Sequence, residues 1–196
     1  HREHLLETGL WDARYDLNRN SEGKIEATPS NKSLVEFPFR GDNQDAPFLL
    51  FKHPEPNAPK YMYIASGDMY KQEKTTTTDS VCTIGIYKYP IFGDPDGREL
   101  VASYAGRPKT YKELNDKILI LLEYYNAVFF PENEDIAVLQ TYLESLRLED
   151  KYLEKHIDFN SSLKYSENDA RKYGWTPRQS KGKLIGMYAN YLDENV

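Results

Sequence analysis

Thr110-Tyr-Lys-Glu-Leu-Asn-Asp-Lys-Ile-Leu-Ile-Leu-Leu-Glu-Tyr-Tyr-Asn-Ala-Val-Phe-Phe-Pro-Glu132 holds two hydrophobic periods back to back, and the rest of the chain can be placed around that change. Thr110 and Glu113 have the spacing of a capping box, in which each side chain satisfies a free backbone N–H at a helix start. Leu114, Ile118, Leu121, Leu122 and Tyr125 then recur at helical spacing and give one apolar face. Asn126 closes that helix. Ala127-Val-Phe-Phe-Pro131 follows as a short, wholly apolar run, the pattern of a strand buried on both faces of a sheet.

Upstream the period is that of strands. Tyr61-Met-Tyr-Ile-Ala65 reads as a strand ending at Gly67-Asp68, and a polar loop from Met69 to Thr78 leads to Asp79 and a second strand, Ser80 to Tyr87. Gly93-Asp-Pro-Asp-Gly97 is a strong turn signal, after which Glu99 to Tyr104 returns as a third strand. Downstream, Glu134 to Leu148 carries Ile136, Leu139, Leu143 and Leu146 in helical register, and Ser180 opens a last helix to about Glu194. The order β-β-β-α-β-α predicts an α/β fold. An antiparallel three-strand meander is joined by a right-handed helical crossover to a parallel strand, and helices flank the mixed sheet.

Residues 1–57 differ from this. Polar and turn-forming residues fill Asn18 to Gln44, Val35-Glu-Phe-Pro-Phe-Arg40 and Phe48-Leu-Leu-Phe51 are short apolar islands, and His53-Pro-Glu-Pro-Asn-Ala-Pro59 blocks regular structure. The stretch is expected to be an N-terminal segment or linker packed on a domain spanning 58–196, its islands forming edge strands or arms, with no chemistry of its own.

The 196 residues suffice for one α/β domain, and a mean hydropathy of −0.73 belongs to a polar globular chain. No apolar run is long enough to span a bilayer and no signal peptide opens the chain. It begins with His1, as expected of a piece of a longer polypeptide. Cys82 is the only cysteine, which excludes an internal disulfide and a cysteine-based zinc site; in Val81-Cys82-Thr83-Ile84 it reads as a buried strand residue. The formal charge of −6 runs against a nucleic-acid partner, although a carboxylate cluster neutralised by metal ions would supply part of it.

Two acids stand out by position. Asp68 closes the first strand of the meander and Glu132 closes the strand after the crossover helix. Were those strands parallel neighbours, roughly 4.8 Å apart, the two carboxylates would emerge side by side and repel unless a cation lay between them. Oxygen ligands favour Mg²⁺ or Mn²⁺, and two such ions suit phosphodiester cleavage. The plain alternative is that Asp68 is a turn residue and Glu132-Asn-Glu-Asp135 the acidic start of the next helix. On spacing alone Asp79, Glu73, Asp94 and Asp96 read as loop acids. His53 and His156 read as surface residues, and the sixteen tyrosines as amphipathic packing residues with hydroxyls at the surface.

Three stretches together resemble the C-terminal nuclease domain of phage terminase large subunits. Tyr63-Ile-Ala-Ser-Gly-Asp68 with its loop to Asp79-Ser-Val81 is similar to that family's first catalytic strand. Val101-Ala-Ser-Tyr-Ala-Gly-Arg-Pro-Lys-Thr110 with Tyr124-Tyr-Asn-Ala-Val-Phe-Phe-Pro-Glu-Asn133 is similar to its central segment, and Tyr173-Gly-Trp-Thr-Pro-Arg-Gln-Ser-Lys181 to the segment before its last helix. The resemblance covers about residues 60–196. It implies a ribonuclease H-like fold and a metal-dependent DNA endonuclease with little sequence preference. Asp68 and Glu132 would be catalytic metal ligands, Asp79 an accessory ligand, and Mg²⁺ or Mn²⁺, two ions, the cofactor. The family's third acid lies in a motif after the last helix, which this chain does not reach, so the domain is expected to continue past Val196 and the fragment to cleave poorly or not at all. The resemblance also implies double-stranded DNA, an ATPase domain, a small terminase subunit and a portal as partners, in the cytoplasm of an infected bacterial host.

Phosphate contacts would come from Arg107 and Lys109 in the Gly-Arg-Pro-Lys turn and from Arg178, Lys181 and Lys183 around the last helix start. The same residues also suit a solvated basic surface. Two other functions fit the pattern. One is another ribonuclease H-like nuclease of resolvase or transposase type; the other is a non-catalytic module docking on DNA or a portal. No phosphate-loop motif occurs, so this stretch alone drives no translocation.

Overall fold

The structure, a computed structural model, describes residues 13–34, 46–69, 81–89, 99–132, 136–155, 157–158, 164–165 and 173–174. The expected turn at Gly93 to Gly97, the island at Val35 to Arg40 and the helix from Ser180 to Glu194 lie outside these residues, as do Trp11, His156 and Trp175.

The predicted meander forms as β4 (Tyr63–Asp68), β5 (Cys82–Lys88) and β6 (Glu99–Gly106), each antiparallel to the next. Alternation explains the pairing. In β5, Cys82, Ile84 and Ile86 are buried while Thr83 and Tyr87 are exposed, so one side of the strand is apolar. Helix α1 (Tyr111–Tyr125) covers that side. Its Tyr125 ring lies 5.2 Å from Tyr63 in an edge contact, and Lys117 places its ammonium 5.2 Å over Phe48 and 5.4 Å over Tyr104.

The caps of α1 follow the sequence closely. Glu113 N–H donates to Thr110 Oγ1 at 3.2 Å, while Glu113 Oε2 accepts from the backbone of Lys109, one residue before the expected partner. Asn126 ends the helix in the left-handed region at φ 49°, a conformation asparagine tolerates better than most residues. Leu114, Ile118, Leu121, Leu122 and Tyr125 are all buried, as their spacing predicts. Burial of side chains of this kind contributes roughly 1.5–3 kcal/mol each before entropy is counted.

From Asn126 the chain enters β7 (Val128–Phe129), which pairs with β4 in parallel, Ile64 against Val128 and Ala65 against Phe129. The ladder extends one step further, Phe130 N–H donating to Ala65 O at 2.9 Å. Hydrogen bonding also passes beyond β7. Phe129 bridges Leu153 in parallel, Glu154 N–H donates to Phe129 O, and Gly174 N–H donates to Glu154 O. Helices α2 (Ala137–Leu146) and α3 (Glu149–Tyr152) connect these segments. Leu139 and Leu143 of α2 are buried and Ile136 is buried just before it. Leu146, expected on the apolar face, is 44% exposed, because Arg147 turns left-handed there and ends the helix.

The first third differs more. β1 (Arg14–Arg19) and β2 (Ile25–Pro29) form a hairpin, and β3 (Phe48–Leu50) joins it to β6, giving a seven-stranded sheet in the order β2-β1-β3-β6-β5-β4-β7. Phe48-Leu-Leu50 is therefore inside the sheet and not at its edge. A separate two-stranded ribbon pairs β8 (Ile157–Asp158) with β9 (Lys164–Tyr165). No helix among the described residues is long and apolar enough to cross a membrane.

Candidate functional site

Strand directions collect three chain ends at one edge of the sheet. β4 and β7 run in parallel, and β6, two antiparallel steps from β4, runs the same way. Asp68, Glu132 and the Gly106-to-Thr110 turn therefore all leave the sheet at one edge, where α1 begins. Neighbouring strands lie roughly 4.8 Å apart, which sets β6 about 10 Å from β4.

Asp68 is the last residue of β4, exposed and opposite Thr83. Its carboxylate makes no hydrogen bond or ion pair among the described residues. Gly67 lets the strand reach that point. A Cβ there would lie 2.2 Å from the Thr83 carbonyl oxygen, so no larger residue fits without moving backbone. Glu132 is half-buried, three residues past β7. Between them lies Pro131, which is buried, and its carbonyl faces Gly174. That glycine has φ +79°, and a Cβ on it would stand 2.4 Å from Pro131 O. Tyr173-Gly174 thus packs on the segment that carries Glu132.

The offset that pairs Ile64 with Val128 and Ala65 with Phe129 would set Asp68 level with Glu132 if carried three residues past β7. Side-chain alternation from Ile64 and Ser66 puts Asp68 on the face of the sheet turned away from α1. These are oxygen donors only. Such a pair suits a hard divalent cation, for which Asp68 and Glu132 would be the holders, better than a soft one. Among the described residues no group of three His, Cys, Asp or Glu stands together as a metal-binding set. Cys82 adds no donor: burial, and then the nearby charge of Asp68, push its thiol up to about 12, so it stays protonated.

Of the cations expected beside the acids, Lys109 is exposed at this edge, one residue before the N-cap of α1. Arg107 is not on the surface. It is 2% exposed between buried Gly106 and Pro108, so the expectation of an open phosphate contact is corrected to a side chain built into the interior. The turn composition of Gly-Arg-Pro-Lys suggested exposure, but the strand continues through Gly106 and carries Arg107 inward with it. Asp79, Arg178, Lys181 and Lys183 lie outside the described residues.

The tyrosines also depart from expectation. Tyr63, Tyr104, Tyr125 and Tyr152 are all at most 2% exposed. A buried hydroxyl requires a partner, and the Pro-rich loop supplies some. Tyr125 Oη donates to Lys52 O at 2.6 Å, and Tyr63 Oη accepts from Glu55 N–H at 3.0 Å. His53 Nδ1 lies 2.8 Å from Tyr124 Oη, so this histidine is tied to the helix that the loop crosses. Sequence reading passed over Gly67 and Gly174 as site-shaping residues; a glycine directly before a strand-end acid was the available signal for the first. No protein-family model matches the chain, and no curated protein matches it in sequence.

Proposed function

We propose that this chain carries the nuclease domain of a viral DNA-packaging terminase large subunit, a divalent-metal-dependent endonuclease on a ribonuclease H-like sheet. The observation that carries this reading is the parallel pairing of β4 with β7, whose register, extended three residues past β7, would set Glu132 level with Asp68. The arrangement around it supports the same reading. The meander of β4, β5 and β6, the helical crossover through α1, parallel β7 and the parallel bridge to Leu153 are compatible with a ribonuclease H-like plan. The three stretches that resemble the terminase family contribute Asp68, Glu132 and Gly174 to one edge.

In this reading Asp68 and Glu132 hold Mg²⁺ or Mn²⁺ through carboxylate oxygens. When bound, ions of this kind activate a water and stabilise the leaving oxygen of a phosphodiester. The chain's own part is to fix the two acids on strand ends, where Gly67 and Gly174 keep the backbones close. Lys109 and the free N–H groups at the start of α1 meet the DNA backbone. Contacts of that kind read phosphate and not base edges, so cutting has little sequence preference. Double-stranded DNA is the substrate. The motor domain, small subunit, portal and host cytoplasm follow from the family resemblance as part of the proposal.

The test is Mn²⁺ binding by the chain, followed by electron paramagnetic resonance, together with plasmid digestion in Mn²⁺ by the longer polypeptide expected to carry it, each with and without Glu132→Ala. Loss of bound Mn²⁺ and of nicking in the variant is expected. Equal nicking and equal Mn²⁺ uptake by both would end the reading.

A further inference from the structure

A cavity of about 520 Å³ opens at the sheet edge opposite Asp68, where Ala58 and Asn126 lead into β4 and β7. That volume suits a small molecule of drug or nucleotide size. Its ionic lining is Arg19, Lys24, Glu55, Glu123 and Lys151, with the ring of Tyr124 beside them. Both acids are already matched. Glu123 pairs with Arg19, and Glu55 pairs with Lys88 at 2.6 Å.

The two remaining ammonium groups have no carboxylate partner among the described residues. Lys24, in the turn between β1 and β2, and Lys151, in α3, form no ion pair among the described residues. Lys151 lies only over the Tyr152 ring, 4.7 Å from its centre. Two cations without an ion pair among the described residues line one concavity, in a chain whose net charge is −6, and oppose the charge of the rest of the molecule. Ammonium groups held apart on separate elements bind as point charges, and phosphate oxygens are the partners that such groups take.

We propose that this cavity binds a small phosphorylated molecule, with Lys24 and Lys151 holding its phosphate oxygens. The site is separate from the Asp68 edge and does not depend on the nuclease reading. Asn126 shapes its wall: the side-chain amide donates to Ala58 O at 3.0 Å and ties the loop before β4 to the end of α1.

Calorimetric titration of the chain with pyrophosphate, with ATP and with adenosine tests the proposal at low ionic strength. A short DNA duplex and the Lys24→Ala/Lys151→Ala double variant complete the set. Pyrophosphate and ATP should bind, adenosine should not, and the double variant should lose roughly a hundredfold in affinity, about tenfold for each charge-assisted contact. Matching thermal melts would show that the variant is folded. Absence of pyrophosphate and ATP binding, equal binding by the variant, or binding of the duplex alone would each overturn the proposal. Mn²⁺ uptake by the chain should be the same with and without both lysines, which separates failure here from failure at Asp68 and Glu132.

Discussion

The two edges of the sheet treat their polar groups in opposite ways. At the edge where β4 and β7 begin, polar atoms other than the ammonium groups of Lys24 and Lys151 are committed to one another: Tyr125 to Lys52 O, His53 to Tyr124, Asn126 to Ala58 O, and Arg19 to Glu123. At the edge where the same strands end, Asp68 is exposed with no hydrogen bond or ion pair among the described residues, and Gly67 brings the backbone of β5 close beside it. A polar group that is fully satisfied stabilises the fold and has little left to offer a ligand. One that is left open contributes nothing to folding and can bind. Apart from Lys24 and Lys151, the first edge is expected to answer mutation with lost stability, and Asp68 at the second with lost chemistry.

The largest effect tests the committed edge. Tyr125 is fully buried, and its hydroxyl anchors the Pro-rich loop at Lys52. Tyr125→Ala should cost about 3–5 kcal/mol in urea unfolding, as other large-to-small changes of buried aromatics do. Tyr125→Phe, which keeps the ring and loses the hydroxyl, should cost about 1 kcal/mol. A small loss for Tyr125→Ala would mean that this edge is not where the fold is held.

Asp68→Asn should do the reverse. In the proposed nuclease reading, nicking in Mn²⁺ by the longer polypeptide is expected to fall by about a hundredfold or more, close to 2.7 kcal/mol of activation free energy, while urea stability of the chain changes by less than about 0.5 kcal/mol. An Asp68 variant that unfolds would place the residue with the structural groups and erase the contrast between the edges.

How far the sequence reveals this division depends on the length of each pattern. Helix α1 was legible because five apolar residues at helical spacing were bracketed by Thr110 and Asn126, and both brackets act as caps. The meander was legible from the alternation in Cys82 to Tyr87. The β1–β2 hairpin was not, since Arg14-Tyr-Asp-Leu-Asn-Arg19 buries only Leu17 and has no apolar alternation to read. β3, three residues long, could not be told from an arm, because its place in the sheet is fixed by pairing with β6 and not by its own pattern. Asp68 and Glu132 could be singled out because a strand-end acid is visible once the strand is. The burial of Arg107 depends on where β6 carries the turn, which no local spacing encodes.

A third comparison concerns Asn126, the joint between α1 and the committed edge. Its left-handed backbone and its bond to Ala58 O make separate contributions. Asn126→Ala should cost about 1–2 kcal/mol, since a Cβ-bearing residue without a compensating amide is strained there. Asn126→Gly removes the strain and keeps only the loss of the amide, so it should cost less. Equal costs for the two variants would show that the backbone conformation matters little.

The smallest effect lies on the link between α1 and α2, where pH can separate two hydrogen-bonded partners. Tyr142 Oη donates to Asp116 Oδ1 at 2.5 Å, and Lys112 Nζ donates to Asp116 Oδ2 at 2.7 Å. Burial alone would raise the Asp116 carboxyl, but the bonds from Lys112 and Tyr142 and the ammonium charge outweigh it and hold the group below its ordinary range. A carboxyl depressed in this way contributes stability that is present above its unfolded pKa, about 3.9, and lost as pH falls through the lower folded value. Tyr142 moves the other way. Burial, its bond to Asp116 and that residue's charge push the phenol up to about 12, so its contribution is present below the ordinary value near 10 and fades as pH rises through about 12. Unfolding free energies from urea titration of the chain and of Tyr142→Phe should therefore differ by less than about 1 kcal/mol at pH 7. That gap should hold up to the ordinary phenol range and then close above it. Asp116→Asn should narrow its own deficit on the acid side instead, because there the native carboxyl is itself protonated. A Tyr142→Phe deficit that closes in acid and not in alkali would assign the coupling to Asp116 alone and leave the tyrosine as a packing residue.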